Sequence, residues 1–189
     1  EALDGVSASR DRLMVSILDN VRGRTLVFRP GANGRWTRSA IELPDNSTVE
    51  ISDASRTDNR AIIGVTSFLV PPSLWLADAA TGNARQFMQQ PAKFDASNLI
   101  AEQREAVSSD GTPIPYFLVH RRDIKLDGSN PTLLYAYGGF NIVQSPTFSA
   151  ARKGCAAMSV ATICVAPARR AASRASVESW VESVRMYVM

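Results

Sequence analysis

Val6-Ser7-Ala8-Ser9-Arg10-Asp11-Arg12-Leu13-Met14-Val15 has an echo further along the same chain, in Ile51-Ser52-Asp53-Ala54-Ser55-Arg56-Thr57-Asp58-Asn59-Arg60-Ala61-Ile62-Ile63. The displacement is roughly 45 to 48 positions. In each copy a polar turn rich in Ser, Asp and Arg leads into an apolar strand, and a second strand follows a short break. The spacing predicts strands from Leu13 to Leu18 and Thr25 to Phe28 in the first copy, and from Ala61 to Leu69 and Ser73 to Ala77 in the second. Each pair runs into a turn, Pro30-Gly31-Ala32-Asn33-Gly34 in one and Asp78-Ala79-Ala80-Thr81-Gly82-Asn83 in the other. Trp36 to Leu43 and Arg85 to Met88 supply further strand-like pieces.

A period of about forty to fifty residues carrying about four strands is the pattern of a β-propeller blade. An ordinary β-sandwich with accidental similarity at this period is the alternative. Two blades do not close a ring, so strand edges and an apolar blade face would stay uncovered. Trp36, Trp75, Phe28 and Phe68 are spaced as strand residues, and aromatics in strands usually form core, so they are expected between blades and carry no site role.

Beyond residue 100 the pattern changes. Arg104-Glu105-Ala106-Val107, the turn Ser109-Asp110-Gly111-Thr112, and Ile114 to His120 read as a hairpin closed by an Asp-Gly turn. After the polar stretch Lys125-Leu126-Asp127-Gly128-Ser129-Asn130 comes Pro131-Thr132-Leu133-Leu134-Tyr135-Ala136-Tyr137-Gly138-Gly139-Phe140-Asn141-Ile142. A strand over Thr132 to Tyr137, of a length that can be buried on both faces, gives way to two glycines that free the backbone for a sharp turn. Such a strand delivers side chains to a site.

This stretch with its leading hairpin resembles the entry into the catalytic domain of the prolyl oligopeptidase family of serine peptidases. Val65-Thr66-Ser67-Phe68-Leu69-Val70-Pro71-Pro72-Ser73-Leu74-Trp75 is similar to that family's final propeller blade. The resemblance implies a mainly β chain: the C-terminal blades of a seven-bladed β-propeller over residues 1–100, then the opening strands of an α/β-hydrolase domain over 101–154. It also implies roles. The second aromatic of the Tyr-x-Tyr-Gly-Gly-Phe motif, here Tyr137, donates its phenol to the oxyanion hole, and Phe140 lines the pocket for the substrate proline ring. A neutral donor aimed at a developing oxyanion is typically worth about 3 kcal/mol of barrier, and a flat aromatic wall suits a pyrrolidine ring. Basic-residue-specific oligopeptidases of the same clan resemble this region but carry a small residue and Tyr where this chain has Gly139 and Phe140, so the motif leans toward proline. By the same resemblance the partners are short proline-containing peptides, the intact protein is a monomer, no cofactor is used, and the compartment is the cytoplasm, with the periplasm as alternative.

The rest of the composition removes other classes. A formal charge of +3 arises from cations scattered singly, except in the last forty residues, where Arg gathers with little acid, whereas a nucleic-acid surface needs a clustered basic face. Cys155 and Cys164 are the only cysteines and His120 the only histidine, too few for a disulfide framework or a zinc site without carboxylate help. No run of eighteen apolar residues occurs, so no membrane-spanning helix is expected. His120 sits at the position that closes a structural strand in the family, and is expected to do no chemistry.

From Cys155 to Met189 the chain has no Gly, Asp or His, and consists mainly of Ala, Ser, Val and Arg. The family would continue here with an Asn-x-Arg-Gly-Gly-Gly-Glu motif and, much later, a Gly-x-Ser-x-Gly nucleophile elbow, an Asp and a His. A serine without a base in reach is a weak alcohol, so Ser173, Ser176, Ser179 and Ser183 read as ordinary serines and the triad as absent. Ser173 to Val188 can form a weak amphipathic helix through Val177, Val181, Val184 and Val188. The expectation is a truncated family member, inactive alone, with 155–189 a divergent tail; the alternative is a non-catalytic propeller-like binding or assembly module. Codons for Thr162-Ile163-Cys164-Val165-Ala166-Pro167-Ala168-Arg169, read from their third base, permit Asn-Leu-Arg-Gly-Ala-Gly-Glu. A frameshift near Gly154 would explain that. Sequencing the locus should therefore show the family motif in the alternative frame, and an alternative frame without it would exclude a frameshift.

Overall fold

The computed structural model describes residues 1–125, 127, 129–136, 143–149 and 161–165. They form two compact units. One comprises Glu1–Ala92 together with Ser145–Phe148; the other takes in the remaining described residues from Lys93 onward.

The first unit is built from two antiparallel four-stranded meanders. The first runs β1 (Ala2–Ala8), β2 (Leu13–Asp19), β3 (Arg22–Pro30), β4 (Trp36–Ala40), and the second β5 (Ser47–Ala54), β6 (Arg60–Ser67), β7 (Ser73–Asp78), β8 (Ala84–Gln89). Neighbours in sequence are neighbours in each sheet, and the second sheet repeats the first about one blade length later. The strands expected from apolar runs are all present. The two first strands, β1 and β5, lie where the sequence suggested a polar turn. Only Ser9–Arg12 and Ser55–Asn59 separate the strands there. In β5 the pleat hides the signal: Ser47 and Val49 face inward while Glu50 and Ser52 face out, and a bulge between Ile51 and Asp53 breaks the alternation.

A shared apolar layer joins the sheets. Met14 and Val27 come from the first sheet, Ile41 from the connection, and Val49, Ala61, Ile63, Val65 and Ala77 from the second. Trp75 packs against this layer and its indole N–H donates to Ser73 Oγ, 3.0 Å away; Ser73 in turn donates to Val65 O. Phe68 is buried as expected. Trp36 is not: 55% of its surface is exposed, because β4 is an outer edge strand whose five residues all face solvent.

Two features set how closely the sheets approach. At Gly23 on β3, a Cβ would come within 2.6 Å of Val49 N and 2.9 Å of Ser47 O on β5, so only glycine allows that contact. Asn59 is buried, and its Oδ1 accepts from Ser9 Oγ at 2.9 Å and from Asp11 N at 3.4 Å. Arg10 N donates to Asp58 O, and Ala79 N to Asn59 O. The equivalent loops of the two sheets are thereby tied to one another.

The second unit carries β9 (Leu99–Val107), β10 (Pro113–Arg121), β11 (Thr132–Ala136) and β12 (Ala161–Val165) in the order β11-β12-β10-β9. β9 and β10 form the expected hairpin. Its turn is closed by Ser108 N to Thr112 O, with Gly111 at φ +81°. β12 pairs antiparallel with β10 and parallel with β11. It falls inside the stretch read as a divergent tail, where no strand was anticipated. Thr162, Ile163 and Val165 are β-branched, which suits a strand, but a run of five residues among alanines is too short to stand out. The amphipathic pattern from Ser173 to Val188 lies outside the described residues. No described helix is long and apolar enough to cross a membrane.

Asn59→Ala would leave Ser9 Oγ and Asp11 N without their acceptor in a buried loop, and should lower stability by about 1–3 kcal/mol in chemical denaturation. Asn59→Asp, which keeps an acceptor at that position, should cost less than Asn59→Ala.

Candidate functional site

β11 ends at Ala136, one residue before Tyr137. Tyr137 and Phe140, the two residues the sequence assigns to the site, lie outside the described residues, so the site is approached from its flanks. On the near side, β11 is largely exposed. Leu133 and Tyr135 are 43% and 44% exposed, and among the described residues the strand is registered against β12 alone, Leu133 opposite Thr162 and Tyr135 opposite Cys164. Among the described residues β11 is therefore an edge strand, and its length, which could have been buried on both faces, is not used that way at these two positions.

On the far side, Val143–Ser149 is described, and Ser145–Phe148 belongs to the first unit. Pro146 is fully buried. Thr48 Oγ1 donates to Pro146 O over 2.7 Å, and Phe148 N donates to Thr66 Oγ1 over 3.4 Å. Thr48 and Thr66 are direct cross-strand partners on β5 and β6. Their inward-facing neighbours Val49 and Val65 are core, which puts the two hydroxyls on the outward face. Both threonines also line an open groove of about 600 Å³ across that face, with Glu50, Ser52, Leu74 and Met88. Sequence reasoning gave these residues no role. A contact between positions 98 apart leaves no trace in local periodicity.

His120 is where a search for a base would begin. It is 4% exposed on β10. Nδ1 lies 2.6 Å from Arg121 O, which can only accept, so Nδ1 carries a proton. Nε2 faces Glu102 Oε1 on β9 at 3.3 Å. With both nitrogens engaged inside the hairpin, the ring is a structural cross-strand link, in keeping with the sequence reading. Hydrogen bonds from Arg104 Nε and Nη2 hold the Glu102 carboxyl below its usual range; partial burial opposes this, and the Arg104 charge and His120 add to the lowering. Among the described residues no group of three or more His, Cys, Asp or Glu side chains comes together as a metal site.

No family model matches the chain. Individual relatives do. Over 150 residues it is 43% identical to an uncharacterised peptidase of Sinorhizobium fredii, covering 79% of this chain and 20% of that protein. Over 117 residues it is 37% identical to a prolyl endopeptidase of Elizabethkingia meningoseptica, covering 62% of this chain and 16% of that one. Among solved structures, a post-proline cleaving enzyme from Rickettsia typhi superposes with a TM-score of 0.70 at 32% identity, over 87% of this chain and 24% of that chain. Oligopeptidase B from Leishmania major, at 17% identity and a TM-score of 0.73, shares the fold.

Because Glu102 holds its proton less tightly folded than unfolded, its contribution to stability is fully present above its unfolded pKa and is lost as pH falls through the folded value. Glu102→Gln should therefore remove a small part of the acid-side loss of stability, about 0.5 kcal/mol for a pair this exposed, and leave neutral-pH hairpin signals in place. Denaturant midpoints of both proteins from pH 3 to 7 would check it.

Sequence and fold agree: the chain belongs to the prolyl oligopeptidase family and spans about a fifth of the length of the curated relatives it matches.

Proposed function

We propose that this chain supplies one part of a post-proline peptidase site: the oxyanion donor Tyr137 and the proline-pocket wall Phe140. The observation that carries the reading is the Tyr135-Ala136-Tyr137-Gly138-Gly139-Phe140 motif, whose first two residues end β11, in a chain 32% identical to a post-proline cleaving enzyme. A phenol held at the end of a strand can donate to the oxygen that becomes negative as a peptide carbonyl is attacked. Such a donor lowers the barrier only when a nucleophile is supplied. The only histidine of the chain lies against Glu102 and the Arg121 carbonyl, and among the described residues no serine meets an imidazole base. The reading divides the chain into blades over 1–100, hydrolase strands over 101–154 and a divergent tail over 155–189. The separate sheets on either side of Lys93 support the first division.

The second reading, an assembly module, has its own support. Leu3, Val6, Phe87 and Met88 are large apolar residues left 45–68% exposed on the two meanders, as faces awaiting a covering layer would be.

The purified 189-residue chain should bind a short blocked peptide with a central proline more tightly than its alanine counterpart, and Phe140→Ala should weaken that binding about tenfold. It should not turn over a proline-linked chromogenic substrate. Turnover abolished by Tyr137→Phe would overturn the half-site reading, and equal affinity for the two peptides would overturn the proline pocket. A defined hetero-oligomer by mass would favour the assembly module.

A further inference from the structure

The registers around the two Ser-Arg-Asp loops set the two meanders of the first unit in equivalence. Ala8 pairs with Leu13 across the first loop and Ala54 with Ala61 across the second, and the loops close alike, Ser9 N to Arg12 O and Ser55 N to Arg60 O. Leu13, Val15 and Ile17 of β2 therefore match Ala61, Ile63 and Val65 of β6, the surface on which the first sheet packs. Met14, buried in that packing, matches Ile62, which alternates to the other side of β6. Each sheet thus has an accepting face and an inserting face, and among the described residues one of each is left over. The accepting face of the first sheet carries Leu3 and Val6, opposite Ile17 and Val15 and 68% and 56% exposed. The inserting face of the second carries the cross-strand row Glu50, Gly64, Leu74 and Met88 along the open groove of about 600 Å³, with Met88 59% exposed.

We propose that a second copy of this chain stacks head to tail on the first, its Leu3 and Val6 face against the Leu74 and Met88 face. The two free faces stand in the relation that already joins the two sheets of one chain, so the contact continues an interface the fold has formed once. The polar tie repeats as well. Ser9 donates to Asn59, the residue before Arg60, and the matching pair is Ser55 with Asp11, the residue before Arg12. Ser55 Oγ accepts from Thr57 N and Asp58 N, which leaves its own proton to donate, and the Asp11 side chain, 51% exposed beside Arg12, can accept it from a second copy. The copies meet less closely than the sheets of one chain. Pro72 precedes the residue opposite Val65, where Gly23 precedes the residue opposite Ile17, and Pro146 and Phe148 already lie against Thr48 and Thr66 at that end. The association is accordingly reversible. Two sheets per copy would close a ring of about two to four copies, since propellers hold roughly four to eight blades. The inference rests on the assembly reading and names its partner, and it is independent of the roles proposed for Tyr137 and Phe140.

In sedimentation equilibrium over about a hundredfold range of concentration, the 189-residue chain should pass from monomer to a discrete homo-oligomer. Leu3→Glu with Val6→Glu blocks one face and Met88→Glu the other, and each variant alone should associate at least about tenfold more weakly. Mixed in equal amounts, the two variants should form a pair with one of each and nothing larger, because each brings the face the other lacks. A self-complementary contact would not recover on mixing. All three positions are exposed, so denaturant midpoints should stay at the wild-type value. Where glutamate lowers one, Leu3→Thr with Val6→Thr and Met88→Gln serve in the same scheme. A wild-type monomer at every concentration overturns the proposal. So does self-association that both variants retain, as pairing through the edge strands β4 and β8 would give, and so does loss without recovery on mixing. A monomer that forms a defined complex with a different protein would keep the assembly reading and remove the second copy as its partner. Proline-peptide binding by the monomeric variants tests the half-site separately.

Discussion

Within each meander the backbone ladder satisfies its own donors and acceptors, but no ladder runs from one sheet to the next. What fixes the sheets against each other is an apolar layer, which is non-directional, and the amide of Asn59, which is not. Buried beneath the loops that open both repeats, Asn59 accepts from Ser9 and Asp11 in the first sheet while its own carbonyl accepts from Ala79 in the second. An apolar layer alone tolerates sliding, since Met14 and Val27 would find carbon neighbours in several registers. A buried amide tolerates little, because each lost hydrogen bond leaves a desolvated polar group. The glycine at position 23 adds a steric limit to the same effect, since the β3–β5 approach permits no side chain there. Position in the blade stack is therefore set by a few polar and steric contacts, and burial energy then stabilises the arrangement they select.

This division of labour explains what could be read in advance. The strands with continuous apolar character, β2, β3, β6 and β7, announce themselves, as does the Asp110-Gly111 hairpin. The first strand of each repeat does not. β5 sets Thr48, Glu50 and Ser52 outward against Val49 and Ile51 and carries a bulge, so half its residues look like a turn. The repeat itself was legible because the Ser-Arg-Asp loops recur, and the structure gives the reason: those loops are the hydrogen-bonded contact between the sheets. Trp36 shows the converse limit. Its strand spacing was read correctly, but whether a strand is edge or centre depends on the order of strands in the sheet, and hydropathy carries no information about that order.

The candidate site was legible by motif and opaque by geometry. Tyr135 to Phe140 could be singled out from strand, glycine pair and aromatic, and His120 could be set aside. Its two ring nitrogens lie against the Arg121 carbonyl and Glu102 within the β9–β10 hairpin. The threonine pair could not be singled out, for Thr48 and Thr66 are common strand residues with nothing unusual around them. Their significance comes entirely from being opposite each other and beneath a buried proline. A motif thus singles out a stretch of sequence, whereas a contact between residues far apart, such as Thr48 with Pro146, leaves no local signal.

Holding Ser145–Phe148 against β5 and β6 through hydroxyls has a physical logic. An apolar patch on the blade would hold a neighbouring segment through side-chain area, with an orientation as loose as the packing permits. Hydrogen bonds to main-chain carbonyl and amide fix the segment's backbone instead, to within the few tenths of an ångström that such bonds tolerate. They do so whatever side chains the segment carries. Proline at the buried position removes the one donor that would otherwise compete for a partner and limits the backbone to a single φ well, so the segment arrives with less freedom to lose. Directional bonds of this kind fix where the segment's backbone lies, while stability depends on area summed over the whole unit.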